Sequence, residues 1–227
     1  VSRTILIAPF EGPLAAALAA EAGDAGWSVA LALAGGSAGS GRAAEASPEQ
    51  APSPPGKAQA AAIKYDPRSF VSASALALSA ENALGSLDAV VLILDPAAAK
   101  ADFLAAKPGE LSLVVEERCS GPLFLAREVV RRFEARRSGA ILLLAPLSPR
   151  DAALGPVAAM ADGAFEGLGS GLFAAASGAS WSAYGLRDAS GQADRAARFA
   201  LELLSEPKPA KAGRWLRYSG KGGLFGQ

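Results

Sequence analysis

The sequence predicts a doubly wound α/β domain, a parallel β-sheet with helices on both faces. Three observations carry that expectation. Short apolar runs alternate along the 227 residues with Ala/Leu-rich stretches of helical character. Two of the runs, 89–94 and 140–144, contain no polar residue, as strands do when both faces of a parallel sheet are covered. Half of the residues are hydrophobic but only 7% are aromatic, which suits small side chains packed closely between helices and a sheet. Strand–helix alternation with right-handed crossovers leaves few topologies, and the doubly wound one follows naturally. The length lies within reach of one large domain, so residues 1–227 are read as a single unit.

Thr4-Ile5-Leu6-Ile7-Ala8 is a compact β-type run ended by Pro9. Residues 13–23 follow as a helix, with Pro13 suited to its first turn. Residues 27–33 read as a second strand, closed by Gly35-Gly36. From 35 to about 58 the composition shifts to Ser, Gly, Pro and Ala; such a stretch buries too little to offset its ordering entropy, and a mobile loop is expected. Order resumes with a strand over 61–66 and a helix over 69–84, Ser69 serving as N-cap and Gly85 as stop.

The apolar run 89–94 is the next strand. A helix from about 111 to 137 is bent at Gly121-Pro122. In its second half Ala126, Val129, Val130 and Phe133 share one face, and Arg127, Arg131 and Glu134 the other. Residues 140–144 form another strand, 157–176 a helix of small residues, 181–184 a sixth strand and 194–204 a further helix. Residues 213–218 alternate as a last strand would. No internal repeat is present.

Several functions are disfavoured by composition. Lys plus Arg equals Asp plus Glu at 22 each, which provides no global field to gather nucleic acid or an anionic membrane. No apolar run reaches the roughly 20 residues of a membrane helix. Val1-Ser2-Arg3-Thr4 has no signal-peptide layout, so a soluble, cytoplasmic protein is expected. The chain has no His, which removes Ser-His and Cys-His mechanisms and most zinc or iron sites. Cys119 is the one cysteine; it reads as a small buried hydrophobe, and no metal site is expected.

Three stretches resemble the short-chain dehydrogenase/reductase family. Leu87-Asp88-Ala89-Val90-Val91 is similar to the family's run into its central strand. Ser120-Gly121-Pro122-Leu123-Phe124-Leu125-Ala126-Arg127, with Arg136-Arg137-Ser138-Gly139-Ala140-Ile141-Leu142, resembles its long interface helix and the strand after it. Phe165-Glu166-Gly167-Leu168 resembles a leucine-glutamate-glycine-leucine turn of the next helix. Gly213 and Gly222-Gly223-Leu224 are a weaker echo of its ending. The resemblance implies a Rossmann-like fold over nearly the whole chain, a homodimer or homotetramer built on long helices, and NAD(P) chemistry where the family's motifs are kept.

Those motifs are not kept. The family's Thr-Gly-x-x-x-Gly-x-Gly turn brings backbone to a pyrophosphate at a helix N-terminus. Here the place reads Ala8-Pro9-Phe10-Glu11-Gly12-Pro13-Leu14-Ala15: Phe10 adds bulk, Glu11 adds repulsion, and two prolines remove donors. Alignment on residues 165–168 puts the family's tyrosine at Ala158, its lysine at Asp162 and its serine at Ala145 or Pro146. The helix asparagine corresponds to Arg118, and the Asn-Asn-Ala-Gly stretch to Leu92-Ile93-Leu94-Asp95. No tyrosine lies between Asp66 and Tyr184, so no shift of register restores the proton donor. No catalytic, cofactor-binding or metal-binding residue is therefore assigned, and no cofactor is expected.

Other polar positions have ordinary readings. Asp66 ends the third strand, where family members often place an aspartate near the adenine; as a strand-end turn residue before Pro67 it needs no ligand. Ser148 and Asp151 fit an everyday turn and helix cap. Arg127, Arg131, Arg132, Arg136 and Arg137 read as a solvated helix face, the last two favourable against the helix dipole. Lys208, Lys211, Arg214, Arg217 and Lys221, interleaved with Trp215 and Tyr218, form a pattern that suits nucleic acid, against which the neutral overall charge speaks. Three functions remain: a non-catalytic, homo-oligomeric binding or structural subunit, which is preferred; an NAD(P)-dependent oxidoreductase with a displaced site; and a small-molecule sensor using the cleft at the strand ends.

Overall fold

The computed structural model describes residues 3–35, 60–95, 102–147, 154–205 and 212–220. Their strands are β1 (Thr4–Ala8), β2 (Ser28–Ala34), β3 (Ala60–Tyr65), β4 (Ala89–Ile93), β5 (Ala140–Pro146), β6 (Ser182–Asp188) and β7 (Trp215–Tyr218). They form one sheet in the order β3-β2-β1-β4-β5-β6-β7, and every pairing is parallel. The helices are α1 (Gly12–Asp24), α2 (Phe70–Leu84), α3 (Pro108–Val115), α4 (Gly121–Arg136), α5 (Pro156–Ala176) and α6 (Ala193–Ser205). This is the expected doubly wound sheet. The loop expected over 35–58 lies almost wholly outside the described residues.

Alternate residues of each strand enter two separate cores. Leu6, Val90, Leu92, Ile141 and Leu143 pack under α2, α4 and α5 with Leu76, Phe133 and Phe165. Ile5, Ile7, Val91, Leu142, Leu144 and Tyr184 pack under α1 and α6 with Leu18, Leu201 and Leu204. The strand runs are unbroken in the sequence because neither face meets water.

Local signals placed several boundaries. The Ser69 hydroxyl accepts from the Ser72 amide at 3.2 Å, and Gly85 ends α2 in the left-handed region at φ 78°. The long helix after β4 is interrupted as expected, but the break is a π-helical turn over Glu116–Ser120. Pro122 has no N–H for the carbonyl four residues back, and the helix widens just before it. Gly121 is buried, and a Cβ there would lie 2.9 Å from the Pro67 carbonyl oxygen.

Two expectations need correction. The sixth strand runs on through Gly185 to Asp188, because the indole of Trp215 and the ring of Phe173 cover Gly185 so closely that only hydrogen fits. The α4 arginines are not a uniformly solvated face. Arg132 is 13% exposed and joins Glu81 of α2 to Glu128 of α4, at 3.0 and 3.1 Å. Arg136 donates to the Leu87 carbonyl at 2.7 Å and to Asp88 at 3.1 Å. Opposed acids on α2 and before β4 draw these guanidinium groups inward.

Candidate functional site

In open parallel sheets, ligands bind beyond the carboxyl ends of the strands where the strand order reverses. That point lies beside β1, flanked by β2 and β4. After β1 the chain does not arch into a phosphate turn. The Phe10 amide donates to the Ala32 carbonyl at 2.8 Å, so the chain continues beside β2, and the Phe10 ring packs against the core beneath α1 and α6. Glu11 is the N-cap of α1, but its side chain makes no capping bond. Its carboxylate instead accepts from Arg118 of the π turn at 3.5 Å.

Tyr65 ends β3. It is 7% exposed. Burial, followed by the charge of Glu11, pushes its hydroxyl well above the ordinary tyrosine range, so it stays a neutral hydrogen-bond donor. Asp66 is consumed locally. It accepts from the Arg68 amide, Nε and an Nη at 3.0, 2.9 and 3.0 Å, and the Arg68 hydrogen bond holds its carboxyl below the usual range. The strand-end turn reading of Asp66 agrees with this arrangement. Cys119, half-buried in the π turn, has its thiol pushed up by burial.

The positions aligned with the family's chemistry are brought to the same end of the sheet, filled differently. Ala158 and Ala145 are buried. Asp162 forms an ion pair with Arg187 of β6. Arg187 is itself 8% exposed, reaches Glu166 at 3.4 Å, and lies 4.6 Å from the Trp215 ring centre. Acid, cation and indole thereby lock α5, β6 and β7 together. Ser148 and Asp151 lie outside the described residues, as do Lys208, Lys211, Lys221 and Gly222-Gly223-Leu224. Arg214 and Arg217 are exposed beside Trp215 and Tyr218, and the Tyr218 ring stacks on Phe199 at 5.0 Å, turned toward α6.

The Glu11–Arg118 pair, Tyr65 and the Arg187 lock were not identified in the sequence. A polar residue at the carboxyl end of a strand was the available signal for Tyr65. A cavity of about 260 Å³ opens at the amino ends of the strands, lined by Arg3, Trp27, Asp88, Ser138 and Ser182 among others. Its charges are already engaged: Arg3 donates to the Leu204 and Ser205 carbonyls, and Asp88 accepts from Thr4 and Arg136. Among the described residues no group of three acidic, Cys or His side chains is placed to hold a metal, and no helix is long and apolar enough to cross a membrane.

No family model matches the chain, and no curated protein matches it. Among solved structures, the chain is similar to a protein described as a short-chain dehydrogenase/reductase from Sinorhizobium meliloti 1021. The TM-score is 0.72 over 97% of each chain, at 15% sequence identity. At that identity the likeness is one of fold, and it agrees with the strand order and the two helical layers. The chain has the Rossmann-like α/β fold of the short-chain dehydrogenases/reductases.

Proposed function

We propose that the protein is a cytoplasmic, catalytically inactive relative of the short-chain dehydrogenases/reductases that works as a binding or structural subunit. The observation that supports this most is the Asp162–Arg187 ion pair. Where the resemblance expects a lysine acting on a tyrosine, an acid is tied to a cation and the tyrosine position is a buried alanine. Ala158 has no proton to pass, and a carboxylate at 162 cannot lower a phenol pKa as a lysine would. Phe10 and Glu11 add bulk and negative charge where a pyrophosphate would need backbone donors. Titration with NADH and NADPH, read by calorimetry and nicotinamide fluorescence, is expected to show no binding at millimolar cofactor. Micromolar binding would overturn the reading in favour of an NAD(P)-dependent oxidoreductase with a displaced site.

The subunit is proposed to be a homo-oligomer, paired through the outer side of α5. Ala159, Gly163, Gly167, Gly171 and Ala175 recur every fourth residue there and are exposed. A Cβ at any of the three glycines would touch nothing within 4 Å. Glycine inside a helix costs about 1 kcal/mol relative to alanine, and no contact among the described residues offsets that. The spacing is symmetric about Gly167, as a twofold helix pair requires. Light scattering after size exclusion is expected to show a dimer or tetramer. Gly167→Leu is expected to shift it toward monomer with the melting profile preserved. A wild-type chain that runs as a monomer at all concentrations would end this part of the proposal.

A second reading, small-molecule binding at the strand-end cleft, is favoured by Tyr65 and Arg118.

A further inference from the structure

α2 is 15 residues long and has one charged side chain, Glu81. That carboxylate is turned toward α4, where it pairs with Arg132 at 3.0 Å. One side of the helix is core: Ala73, Leu76, Ala77 and Ala80 are buried. The opposite side carries no charge at all. Val71, Ala75, Leu78 and Asn82 follow one another there at helical spacing and are exposed, Val71 to 75% and Leu78 to 51%. A surface helix ordinarily turns charged residues outward, and a helix that is apolar on both sides is ordinarily covered on both. Large apolar side chains grouped on a surface mark a place of interaction.

The border of this ridge on the α4 side is cationic. Phe70, exposed at the start of α2, meets the Phe124 ring edge-on, with 5.9 Å between ring centres. The Arg127 guanidinium lies over the Phe70 ring at 4.9 Å, and Arg131 follows one turn along α4. Both arginines are mostly exposed, and the acid they reach is Glu128, at 3.0 and 3.7 Å. Glu128 is itself buried and already accepts from Arg132 and Ser74. Three guanidinium groups here share two carboxylates, those of Glu81 and Glu128. Positive charge is left over, and it sits on the two arginines that face water. Each guanidinium has five N–H donors, most of them unused toward solvent.

We propose that the outer face of α2, with its Arg127–Arg131 border, docks an acidic amphipathic helix of a partner protein. Apolar side chains of that helix lie on Phe70, Val71 and Leu78, and its carboxylates pair with the two arginines. The inference rests on the binding-subunit reading above and adds the kind of partner. Charge decides between occupants. A second copy pairing α2 with α2 about a twofold axis brings the arginine borders together, and α2 has no outward acid to receive them. An acidic helix offers each guanidinium a carboxylate that matches its fork. Burial of the ridge then provides affinity and the arginines fix register, as in other helix-in-groove contacts. The ridge shares no residue with the small-residue stripe of α5 or with the strand-end cleft.

The test is fluorescence anisotropy of the whole chain with two labelled peptides of the length of α2, each held helical by a side-chain cross-link. Both have leucine along one face, flanked by glutamate in the first and by lysine in the second. The glutamate peptide is expected to bind with a Kd of about 10–100 μM, and the lysine peptide about tenfold more weakly. Leu78→Asp is expected to weaken the glutamate peptide by about tenfold or more. Arg127→Gln with Arg131→Gln is expected to bring the two peptides within about threefold of each other. Circular dichroism melting reports whether the arginine variant keeps its stability; Leu78→Asp, at an exposed position, keeps the test decisive if it does not. Equal binding of the two peptides by the wild type overturns the proposal, as does unchanged binding by Leu78→Asp. So does binding of phosphatidylserine vesicles without the glutamate peptide, which assigns the ridge to a membrane surface, or a wild-type dimer that Leu78→Asp splits, which assigns it to a second copy. NADH titration is read separately: with neither cofactor nor peptide bound, this partner is removed and the non-catalytic reading stays in place.

Discussion

Gly139→Val is expected to destabilise the fold by about 4 kcal/mol, seen as a lower urea midpoint at unchanged slope. Two costs add. Gly139 has φ 144°, a backbone region that strains any side chain by about 1–3 kcal/mol. A Cβ there would also come closer than 3.0 Å to the Phe133 ring. Phe133 is fully buried between α4 and the sheet, so it cannot turn away without opening the core, and overpacking of this kind costs about 1–3 kcal/mol. The position is sensitive for another reason: the Gly139 carbonyl accepts from the Ser182 amide at 3.0 Å, at the start of both β5 and β6. Gly109→Ala, in α3, is the matched control. A Cβ there meets nothing, and the helix is expected to gain about 1 kcal/mol from the better helix former. Equal midpoints for Gly139→Val and the wild type would refute the packing argument.

The second large effect is expected at Arg132. Glu128 is 1% exposed, although guanidinium groups and not apolar side chains provide much of its cover. Its carboxylate accepts from Arg127 at 3.0 Å, Arg132 at 3.1 Å and Ser74 at 3.2 Å, with Arg131 at 3.7 Å. Arg132→Met removes the one of these guanidinium groups that is itself largely buried, and leaves Glu81 unpaired as well. Arg127 and Arg131 are 61% and 69% exposed, so water screens what they can replace. The expected loss at neutral pH is about 3 kcal/mol. Replacing Glu128 and Arg132 together by methionine is expected to cost less than Arg132→Met alone, because no uncompensated charge stays buried. A double variant as unstable as the sum of the singles would show that the two residues do not act as a pair.

Stability of the same network depends on pH. Burial alone would raise the Glu128 carboxyl, but the Arg132 and Ser74 hydrogen bonds and the Arg131 charge outweigh it and hold it below 4.5, its ordinary value. A carboxyl lowered in the folded state contributes stability that is fully present above its unfolded value. That stability is lost as pH falls through the folded value. The difference between wild type and Arg132→Met should therefore be largest above about pH 5 and narrow as the solution is acidified below 4.5, which equilibrium unfolding at a series of pH values would measure. A gap that widens on acidification would contradict the assignment.

By itself the sequence determined the architecture and most element boundaries of this protein. The unbroken runs at 89–94 and 140–144 could only be strands covered on both sides, and Ser69, Gly85 and Pro122 act through bonds to residues a few positions away. These are local effects, and local patterns reveal them. Where the reading fell short, the partner lay far along the chain. The sixth strand extends beyond 184 because Trp215, 30 positions later, lies on Gly185. Arg132 resembles a solvated arginine until Glu81, 51 residues earlier, turns it inward. The Glu11–Arg118 contact spans 107 positions, and the Asp162–Arg187 pair joins α5 to β6. Periodicity shows which face of an element is apolar and says nothing about which polar side chain on another element will meet it. Only the tertiary structure decided that, because parallel crossovers bring together strand ends that are distant in sequence, and there the few polar groups choose their partners by proximity and charge.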